Sequence, residues 1–274
     1  MLASFLLSLR EGLEAALIIG IVLAALRKIG HASLSRSVWQ GAFVAVIASI
    51  LAGLALSWMG AEFEGRTEEI FEGTMMVVAA IMLTWMIIWM RRQSTNLQKE
   101  LEAGVKQAST GQGRHWALFW LSFLAVGREG IELVLFLTAT QMATGLIQTL
   151  LGAALGLSVA IGLGWAFFTS SKRMNLRLFF NATNILLILF AAGLLAHGVH
   201  EFNEAGVIPS GIEHVWNINA ILDENQPFGQ ILTALFGYNG NPSLTEILAY
   251  GAYFLAALVL WKKLSPTPGF RSVH

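Results

Sequence analysis

The sequence contains no cysteine, and only 12% of its 274 residues are charged. Without cysteine the chain cannot form disulfides, thiolate-ligated zinc sites or cysteine-ligated iron–sulfur clusters. Soluble domains carry roughly 25% charged residues, whereas 55% of this chain is hydrophobic. The composition therefore excludes an ordinary soluble domain and indicates an all-α integral membrane protein. The formal net charge of zero points to no particular partner.

Positive charge is also missing from the nine residues that precede Arg10. Cleaved signal peptides begin with a positively charged segment, which an uninterrupted apolar core follows. Here three charged residues interrupt the apolar run instead. We therefore expect the first helix to be retained as a membrane span.

Seven apolar segments resemble the spans of about 20 residues that cross a membrane as helices. The seventh is short and is expected to begin a few residues earlier. The sequence thus predicts one transmembrane domain over 1–274, with an outer loop at 199–245. Within that loop, 212–236 is weakly amphipathic and is compatible with a short surface helix or a re-entrant helix. The predicted spans are 3–26, 38–59, 70–90, 116–142, 146–168, 179–198 and 246–261.

Lysine and arginine are concentrated in alternate connections between these spans. They occur in 27–37, 91–115, 169–178 and the C-terminal tail, whereas 199–245 contains neither residue. Positively charged loops remain in the cytoplasm. The sequence therefore predicts an outer N-terminus, a cytoplasmic C-terminus and a cytoplasmic loop at 91–115.

One motif, an arginine followed by two glutamates, occurs in two of the apolar segments. It lies in SLREGLEAALIIG at 8–20 and again in AVGREGIELVLF at 125–136. Residues three or four apart share one face of a helix, so each motif places two carboxylates on one side with a guanidinium beside them. The two motifs consist of Arg10, Glu11 and Glu14, and of Arg128, Glu129 and Glu132.

The motif charges are predicted to lie within the membrane. Twelve residues separate Glu14 from Arg27, which is roughly 18 Å of helix. That length cannot cross a hydrocarbon core of about 30 Å. A charged side chain at this depth is costly unless it is paired or functional.

The two motifs also indicate an internal repeat. They lie 118 residues apart, and each lies in the first helix of a three-helix group. Because the first span runs inward and the fourth outward, we expect an inverted repeat of about 1–92 and about 115–200, with 246–261 appended. Transporters built in this way bind substrate near the bilayer midplane. Gly152 and Gly156 additionally form a small-xxx-small pair that favours close helix contact.

Three interpretations of the buried charges are compatible with the sequence. The motifs could be ion pairs that fix helix orientation, a proton relay, or a metal site. One arginine cannot neutralise two glutamates, so four carboxylates and two guanidiniums leave a formal charge of −2. Carboxylates favour hard cations, and this balance suits a divalent ion. We therefore expect Glu11, Glu14, Glu129 and Glu132 to bind metal, with Arg10 and Arg128 supporting their geometry and Gly12 and Gly130 permitting close backbone approach.

Two REGxE helices in a seven-span chain resemble the oxidase-dependent iron transporter family, which includes fungal high-affinity iron permeases and bacterial ferrous-iron permeases. The cysteine-free composition and the segment HEFNEAGVIP, 200–209, are similar to the bacterial branch. The resemblance implies that the four glutamates conduct iron, entering as Fe²⁺ with Fe³⁺ as the alternative form. It also implies a multi-pass protein of the bacterial inner (cytoplasmic) membrane, and extracytoplasmic partners that deliver or oxidise iron. We expect no enzymatic activity and no permanently bound cofactor.

A second group of polar residues is predicted at the outer side. If 197–204 is helical, His197, Glu204 and either His200 or Glu201 share one face. Imidazole and carboxylate together can hold Fe²⁺. The alternatives to a metal site are that these side chains are simply solvated, or that the acidic residues stabilise a helix N-terminus. The candidate outer capture site comprises Glu69, Glu72, His197, His200, Glu201 and Glu204.

Two rival functions are compatible with the same sequence. A permease for another divalent ion, such as Mn²⁺, would use the same carboxylates. A haem-type electron-transfer protein would need paired histidines on facing helices, and His197 is the single candidate within a span. A run of methionines in the third span is predicted to be a packing or lipid-facing surface, not a metal path. These methionines are Met75, Met76, Met82, Met86 and Met90.

Overall fold

The computed structural model describes residues 1–93, 97–110, 113–169, 176–219, 221–223, 226, 229, 232–233 and 236–264. Within these ranges the chain is helical and contains no strand. A short 3₁₀ turn, Ala32–Leu34, precedes the second helix. The α-helices are α1 Leu2–Lys28, α2 Ser35–Ala61, α3 Arg66–Gln93, α4 Leu97–Thr110, α5 Arg114–Thr144, α6 Leu146–Thr169, α7 Leu176–Glu204 and α8 Leu244–Leu264.

Each of the seven predicted spans lies within one of these helices, so the all-α prediction is confirmed. The seventh helix begins at Leu244, two residues before the predicted segment. Four helical segments are long and apolar enough to cross a membrane, which makes the chain a multi-pass membrane protein. Those segments are Ala32–Gly60, Arg66–Trp89, Leu146–Ala166 and Thr183–Glu204. Helices α1 and α5 are not among these four segments because their motif charges interrupt the apolar run. The apolar part of α8, Leu244–Leu260, is shorter than the four segments.

The helix α4 corrects one prediction, because 91–115 was expected to be a loop. Its sequence is polar overall but amphipathic. The many polar and charged residues therefore suggested a loop, although one face of the helix is apolar. Val105 is fully buried, and it packs with Val22 and Leu26 of α1 and with Leu118 of α5. Helix α4 therefore covers one end of the α1 and α5 pair.

Small residues at four-residue spacing hold the main helix pairs together. A side chain on Gly152 of α6 would collide with the backbone of Met1, and one on Gly41 of α2 would collide with the backbone of Phe119. Helix α1 therefore packs closely on α6, and α2 packs closely on α5. The small residues are Gly41, Ala45, Ser49 and Gly53 in α2, and Gly152, Gly156, Ala160 and Gly164 in α6.

The contacts of these two helix pairs match one another. In each matched contact the residue numbers differ by 118 between α1 and α5, and by 111 between α2 and α6. Along both pairs the residue numbers increase together, so the paired helices run in the same direction. The matched contacts are Met1–Gly152 with Phe119–Gly41, Gly12–Ala160 with Gly130–Ser49, and Ala16–Gly164 with Val134–Gly53.

The largest apolar core lies between α1, α3, α5, α7 and α8. Gly73 of α3 and Gly198 of α7 meet so closely that a side chain on either would clash with the other's backbone. Leu7, Met76 and Phe136 are fully buried in this core. The core therefore fixes α3 and α7 beside the segment of α1 that carries the first motif.

Within the segment between α7 and α8, backbone hydrogen bonds join residues 215–218 to the residues that precede α8. The N–H of Val215 donates to the carbonyl of Pro242, and that of Ile218 donates to the carbonyl of Gly240. Residues 212–219 are not helical, whereas Gly229, Leu232, Thr233 and Phe236 are helical, so the helix that the sequence allowed in 212–236 does not include the first part of that stretch. The rest of the stretch 212–236 lies partly outside the described residues.

Candidate metal centre

The first motif forms a buried cluster on α1. The side chain of Arg10 is fully buried, and its Nη1 and Nη2 lie 3.2 Å from Glu11 Oε1 and 3.1 Å from Glu14 Oε1. The four-residue spacing of Arg10 and Glu14 places them on one helix face. Arg10 Nη1 also donates to Met86 Sδ of α3, at 2.7 Å. Among the described residues, Glu11 Oε2 has no hydrogen-bond partner although it is buried.

The second motif repeats this arrangement on α5 in a more open setting. Arg128 Nη2 lies 2.7 Å from Glu129 Oε1, and Arg128 Nε lies 3.7 Å from Glu132 Oε1. The Arg128 side chain is 43% exposed, and its guanidinium lies 4.6 Å above the ring centre of Trp89 on α3. Arg10 is thus sealed in the protein, whereas Arg128 is covered on one side by an aromatic ring.

Carboxylates from the two motifs meet between α1 and α5. Glu11, Glu14 and Glu129 are all buried, and each places one oxygen within 4.8 Å of the other two. Oxygens that bind one Mg²⁺ or Ca²⁺ ion at about 2.1–2.4 Å can lie up to about 4.8 Å apart. Glu132 of α5 is outside this group of three, and it interacts electrostatically with Arg10 of the neighbouring helix α1. The structure therefore brings three of the four predicted glutamates to the spacing of metal ligands.

Glycine within each motif allows a neighbouring helix to approach. A side chain at Gly12 would collide with Ala160 of α6, and one at Gly130 would collide with Ser49 of α2. In a helix of 3.6 residues per turn, Gly12 lies about 100° from Glu11 and about 160° from Glu14. Helices α6 and α2 therefore approach α1 and α5 on other faces, and the glutamates remain directed toward each other.

The charges of the centre favour a hard cation. Four motif carboxylates face two guanidiniums, and Arg10, Glu11, Glu14 and Glu129 are buried. A buried carboxylate is costly unless it is paired or hydrogen bonded. The donor atoms are all oxygens, which suit Mg²⁺, Ca²⁺, Mn²⁺ and comparable ions. A divalent cation would balance the remaining charge of −2.

Met86 was not expected to contact the motif. The methionine run was predicted to be a packing or lipid-facing surface, and burial of Met75, Met76 and Met86 agrees with packing. Met86 additionally places its thioether against Arg10. Sequence spacing gives no signal for this contact because it joins α1 to α3 through tertiary packing.

The predicted outer residues lie in two groups, as the choice between His200 and Glu201 on one helix face allowed. His197, His200 and Glu204 line a cavity of about 610 Å³. Glu201 instead interacts electrostatically with Glu72 and Glu69 of α3. Successive helical residues are rotated by about 100°, so His200 and Glu201 face different neighbours.

Three further residues of this cavity were missed by the sequence analysis. Glu213, His214 and Glu246 also line it. The pattern Ser243–x–x–Glu246 just before an apolar run is a capping box and could have identified Glu246. Glu213 and His214 lie in the segment between α7 and α8, where no sequence pattern predicts their position.

Comparison with known proteins gives the family of the chain. The sequence profile described as "Iron permease FTR1 family" matches residues 1–264. The chain belongs to the iron permease FTR1 family. The chain is 36% identical over 270 residues to the "Ferrous iron permease EfeU" of Shigella sonnei, covering 98% of both chains. It is 34% identical over 262 residues to the protein of that name from Yersinia pestis, covering 95% of this chain and 93% of the relative.

Membership of the FTR1 family confirms the family predicted from the repeated motif. A relative from Escherichia coli K12, 36% identical over 98% of both chains, carries a name that marks it as inactive. No solved structure matches this chain.

Proposed function

We propose that this protein carries iron into the cell through the carboxylates that meet between α1 and α5. The observation that carries this proposal is the buried group of Glu11, Glu14 and Glu129, whose oxygens lie within 4.8 Å of one another. The family profile and the names of the relatives support iron as the cargo. Iron enters as Fe²⁺, the form that those names specify.

In this proposal the four motif glutamates bind the passing ion in turn. Glu11, Glu14 and Glu129 form the buried part of the path, and the partly exposed Glu132 forms its open side. A transport site must release its ion as well as bind it. Arg10 and Arg128 compete with the cation for the same carboxylates, because both remain protonated. This competition keeps the iron from being held too tightly.

We propose seven membrane spans, with α1, α5 and α8 joining the four strongly apolar segments. The matching contacts of α1 with α6 and of α2 with α5 support an inverted repeat of about 1–92 and about 115–200. Helices α5 and α6 are joined by Gly145 alone, and helices joined by short loops form antiparallel hairpins. Since α1 runs parallel to α6, it runs opposite to α5. The N-terminus lies outside and the C-terminus in the cytoplasm.

The proposed location is the inner membrane of a bacterial cell. The relatives that carry the permease name are bacterial, which supports this location. Extracytoplasmic proteins that deliver or oxidise iron are the proposed partners. The protein acts as a permease, with iron as substrate and without a resident cofactor or enzymatic activity.

Uptake of radioactive iron tests the proposal. We expect Glu14→Ala and Glu129→Ala each to abolish uptake, because each removes one of the three converging ligands. Glu62→Ala, which removes an exposed carboxylate outside the centre, is the matched control and should leave uptake unchanged. Uptake near the wild-type level in both motif variants, at equal protein abundance, would rule out the proposed path.

Competition between metals tests the identity of the cargo. A site of oxygen donors also accepts Mn²⁺, so Mn²⁺ should inhibit iron uptake to some extent. We expect unlabelled Fe²⁺ to inhibit at a lower concentration than Mn²⁺. The reverse order would identify a manganese permease that uses the same carboxylates.

A further inference from the structure

His200 lies between two carboxylates at the outer end of α7. Its Nδ1 lies 3.0 Å from Glu246 Oε1 of α8, and its Nε2 lies 3.3 Å from Glu204 Oε1 of α7. The Glu246 side chain is 5% exposed, whereas that of Glu204 is 56% exposed. The imidazole therefore has one buried partner and one partner that borders the cavity.

Glu246 is held in place as a hydrogen-bond acceptor. The N–H of Ser243 donates to Oε1 at 3.1 Å, and Nδ2 of Asn239 donates to Oε2 at 2.8 Å. The N–H of Glu246 donates in return to Ser243 Oγ at 3.3 Å, which completes a capping box at the start of α8. An ionised carboxylate only accepts hydrogen bonds. Nδ1 of His200 must therefore carry the hydrogen that points to Glu246.

In a neutral imidazole this tautomer leaves a lone pair on Nε2, which lies 3.3 Å from Glu204 Oε1. Two acceptors 3.3 Å apart repel each other unless they share a cation, either a proton on the imidazole or a metal ion beside both atoms. Histidines that bind metals almost always donate their other N–H to a carboxylate or a similar acceptor. Adjacent nitrogen and oxygen ligands at about 2.1 Å from one ion lie about 3 Å apart. His200 and Glu204 have that spacing.

The surrounding cavity has room for a hydrated ion. Its volume is about 610 Å³, and His197, Glu213 and His214 also line it. In the described part of the chain, the one group that brings three such donors within 4.8 Å is the centre between α1 and α5. An ion at His200 and Glu204 would therefore keep several water ligands, which allows it to dissociate from the site.

We propose that His200 and Glu204 bind a divalent first-row transition-metal ion, and that Glu246 is a positioning residue for His200. Imidazole combined with carboxylate suits Fe²⁺, Co²⁺ and Zn²⁺ better than it suits Mg²⁺ or Ca²⁺. The imidazole nitrogen therefore gives this site a preference for transition-metal ions that the oxygen-only centre lacks. It deepens the proposed function by naming a capture site for the same cargo, and only the identity of the physiological ion rests on that function.

Cobalt binding to the full-length protein in lipid nanodiscs tests the site. Co²⁺ serves as the probe because its visible absorption reports imidazole ligation. We expect Glu14→Ala/Glu129→Ala to retain one Co²⁺ per chain, and we expect the addition of His200→Gln to remove it. The proposal is overturned if the double variant binds no Co²⁺, or if the triple variant still binds it with unchanged absorption.

A second variant separates positioning from folding. Glutamine can replace glutamate in a capping box, so Glu246→Gln should preserve α8 while weakening the polarisation of His200. We expect Co²⁺ to bind 10- to 100-fold more weakly, as is usual for loss of such a partner, with unchanged helical circular dichroism. Glu62→Gln, a change at an exposed carboxylate of the α2–α3 connection, is the control. Wild-type affinity in Glu246→Gln would refute the positioning role.

The outcome is independent of the proposed permease function. If iron uptake proves insensitive to Glu14→Ala and Glu129→Ala while Co²⁺ remains bound at His200, the transport path fails and the outer site stands. If uptake depends on those glutamates but Co²⁺ binding is unchanged by His200→Gln, the outer site fails and the path stands.

Discussion

At the scale of residues, the two motif arginines have the same sequence context and different surroundings. Arg10 is fully buried against Met86, whereas the Arg128 side chain is 43% exposed and lies over Trp89. Both Met86 and Trp89 belong to α3. Helix α3 thus provides a sulfur acceptor for the Arg10 guanidinium and an aromatic ring for the Arg128 guanidinium. The two halves of the centre are therefore related but not equivalent.

Replacement of Met86 tests the role of this contact. Met86→Leu keeps the volume and removes the sulfur acceptor, so Arg10 can interact more strongly with Glu11 and compete better with iron. We expect the half-saturating iron concentration to rise about fivefold, which corresponds to a hydrogen bond of about 1 kcal/mol. Met75→Leu, a buried methionine of the same helix, is the control. Equal effects of the two changes on uptake would show that the sulfur of Met86 has no specific role.

Shortening a ligand tests whether geometry matters as well as charge. Glu14→Asp and Glu129→Asp retain the carboxylate and withdraw it by one methylene group. Ligand positions must hold to about 0.5 Å, and a displacement of about 1 Å can cost about 100-fold in rate. We expect iron uptake to fall by at least tenfold in both variants. Wild-type uptake in Glu14→Asp and Glu129→Asp would indicate that the carboxylates attract iron by their charge alone and do not coordinate it directly.

At the scale of helices, close packing through small residues aligns the two motifs. Only Gly152 and Gly156 were singled out from the sequence, and the equivalent stripe in α2 was missed. Its middle positions are Ala45 and Ser49, which do not form a glycine pattern. Their equivalence to Gly156 and Ala160 appears only when the contacts of both helix pairs are compared.

Two glycines of α6 provide a matched test of this packing. A methyl group on Gly156 would meet the backbone of Phe5 and Leu9, which cannot move aside, whereas no described atom lies within 4 Å of one on Gly162. Gly156→Ala should therefore lower the free energy of unfolding by about 1–3 kcal/mol. Gly162→Ala should be neutral or stabilising because alanine favours helices. Thermal unfolding in detergent measures both, and equal stability of the two variants would argue against tight α1–α6 contact.

The positions of most membrane helices were predictable because long apolar segments leave few alternatives. Helix α4 was not, because its polar face suggested a loop and its apolar face is short. The meeting of Glu11, Glu14 and Glu129 followed from a repeated motif at the same depth in two helices. Which of His200 and Glu201 faces the cavity did not follow, because it depends on which neighbours pack on each side of α7. Tertiary contacts of this kind are not encoded in local spacing.

At the scale of the whole molecule, the positive charges determine the proposed orientation. Arg27 and Lys28 lie at the end of α1 and Arg36 lies at the start of α2, whereas 199–245 contains neither Lys nor Arg. The same orientation places the cavity near His200 outside and α4 in the cytoplasm. Iron would therefore meet the outer histidine before it reaches the carboxylates between α1 and α5.

The absence of cysteine makes this orientation simple to measure. A single cysteine can be introduced without background labelling by other thiols. Glu62→Cys, between α2 and α3, should react with an impermeant maleimide added to spheroplasts. Ser33→Cys, which is exposed between α1 and α2, should react only after the membrane is opened. The opposite pattern would invert the protein and the direction of the proposed path.

The most direct measurement of the central claim is the position of iron in the loaded protein, from anomalous diffraction at the iron absorption edge. The account predicts an anomalous peak between α1 and α5, at bonding distance from oxygens of both Glu14 and Glu129. The peak should be absent from Glu14→Ala crystals grown in the same iron solution. A peak bound to one helix alone, or no peak between the helices of an iron-loaded crystal, would contradict it.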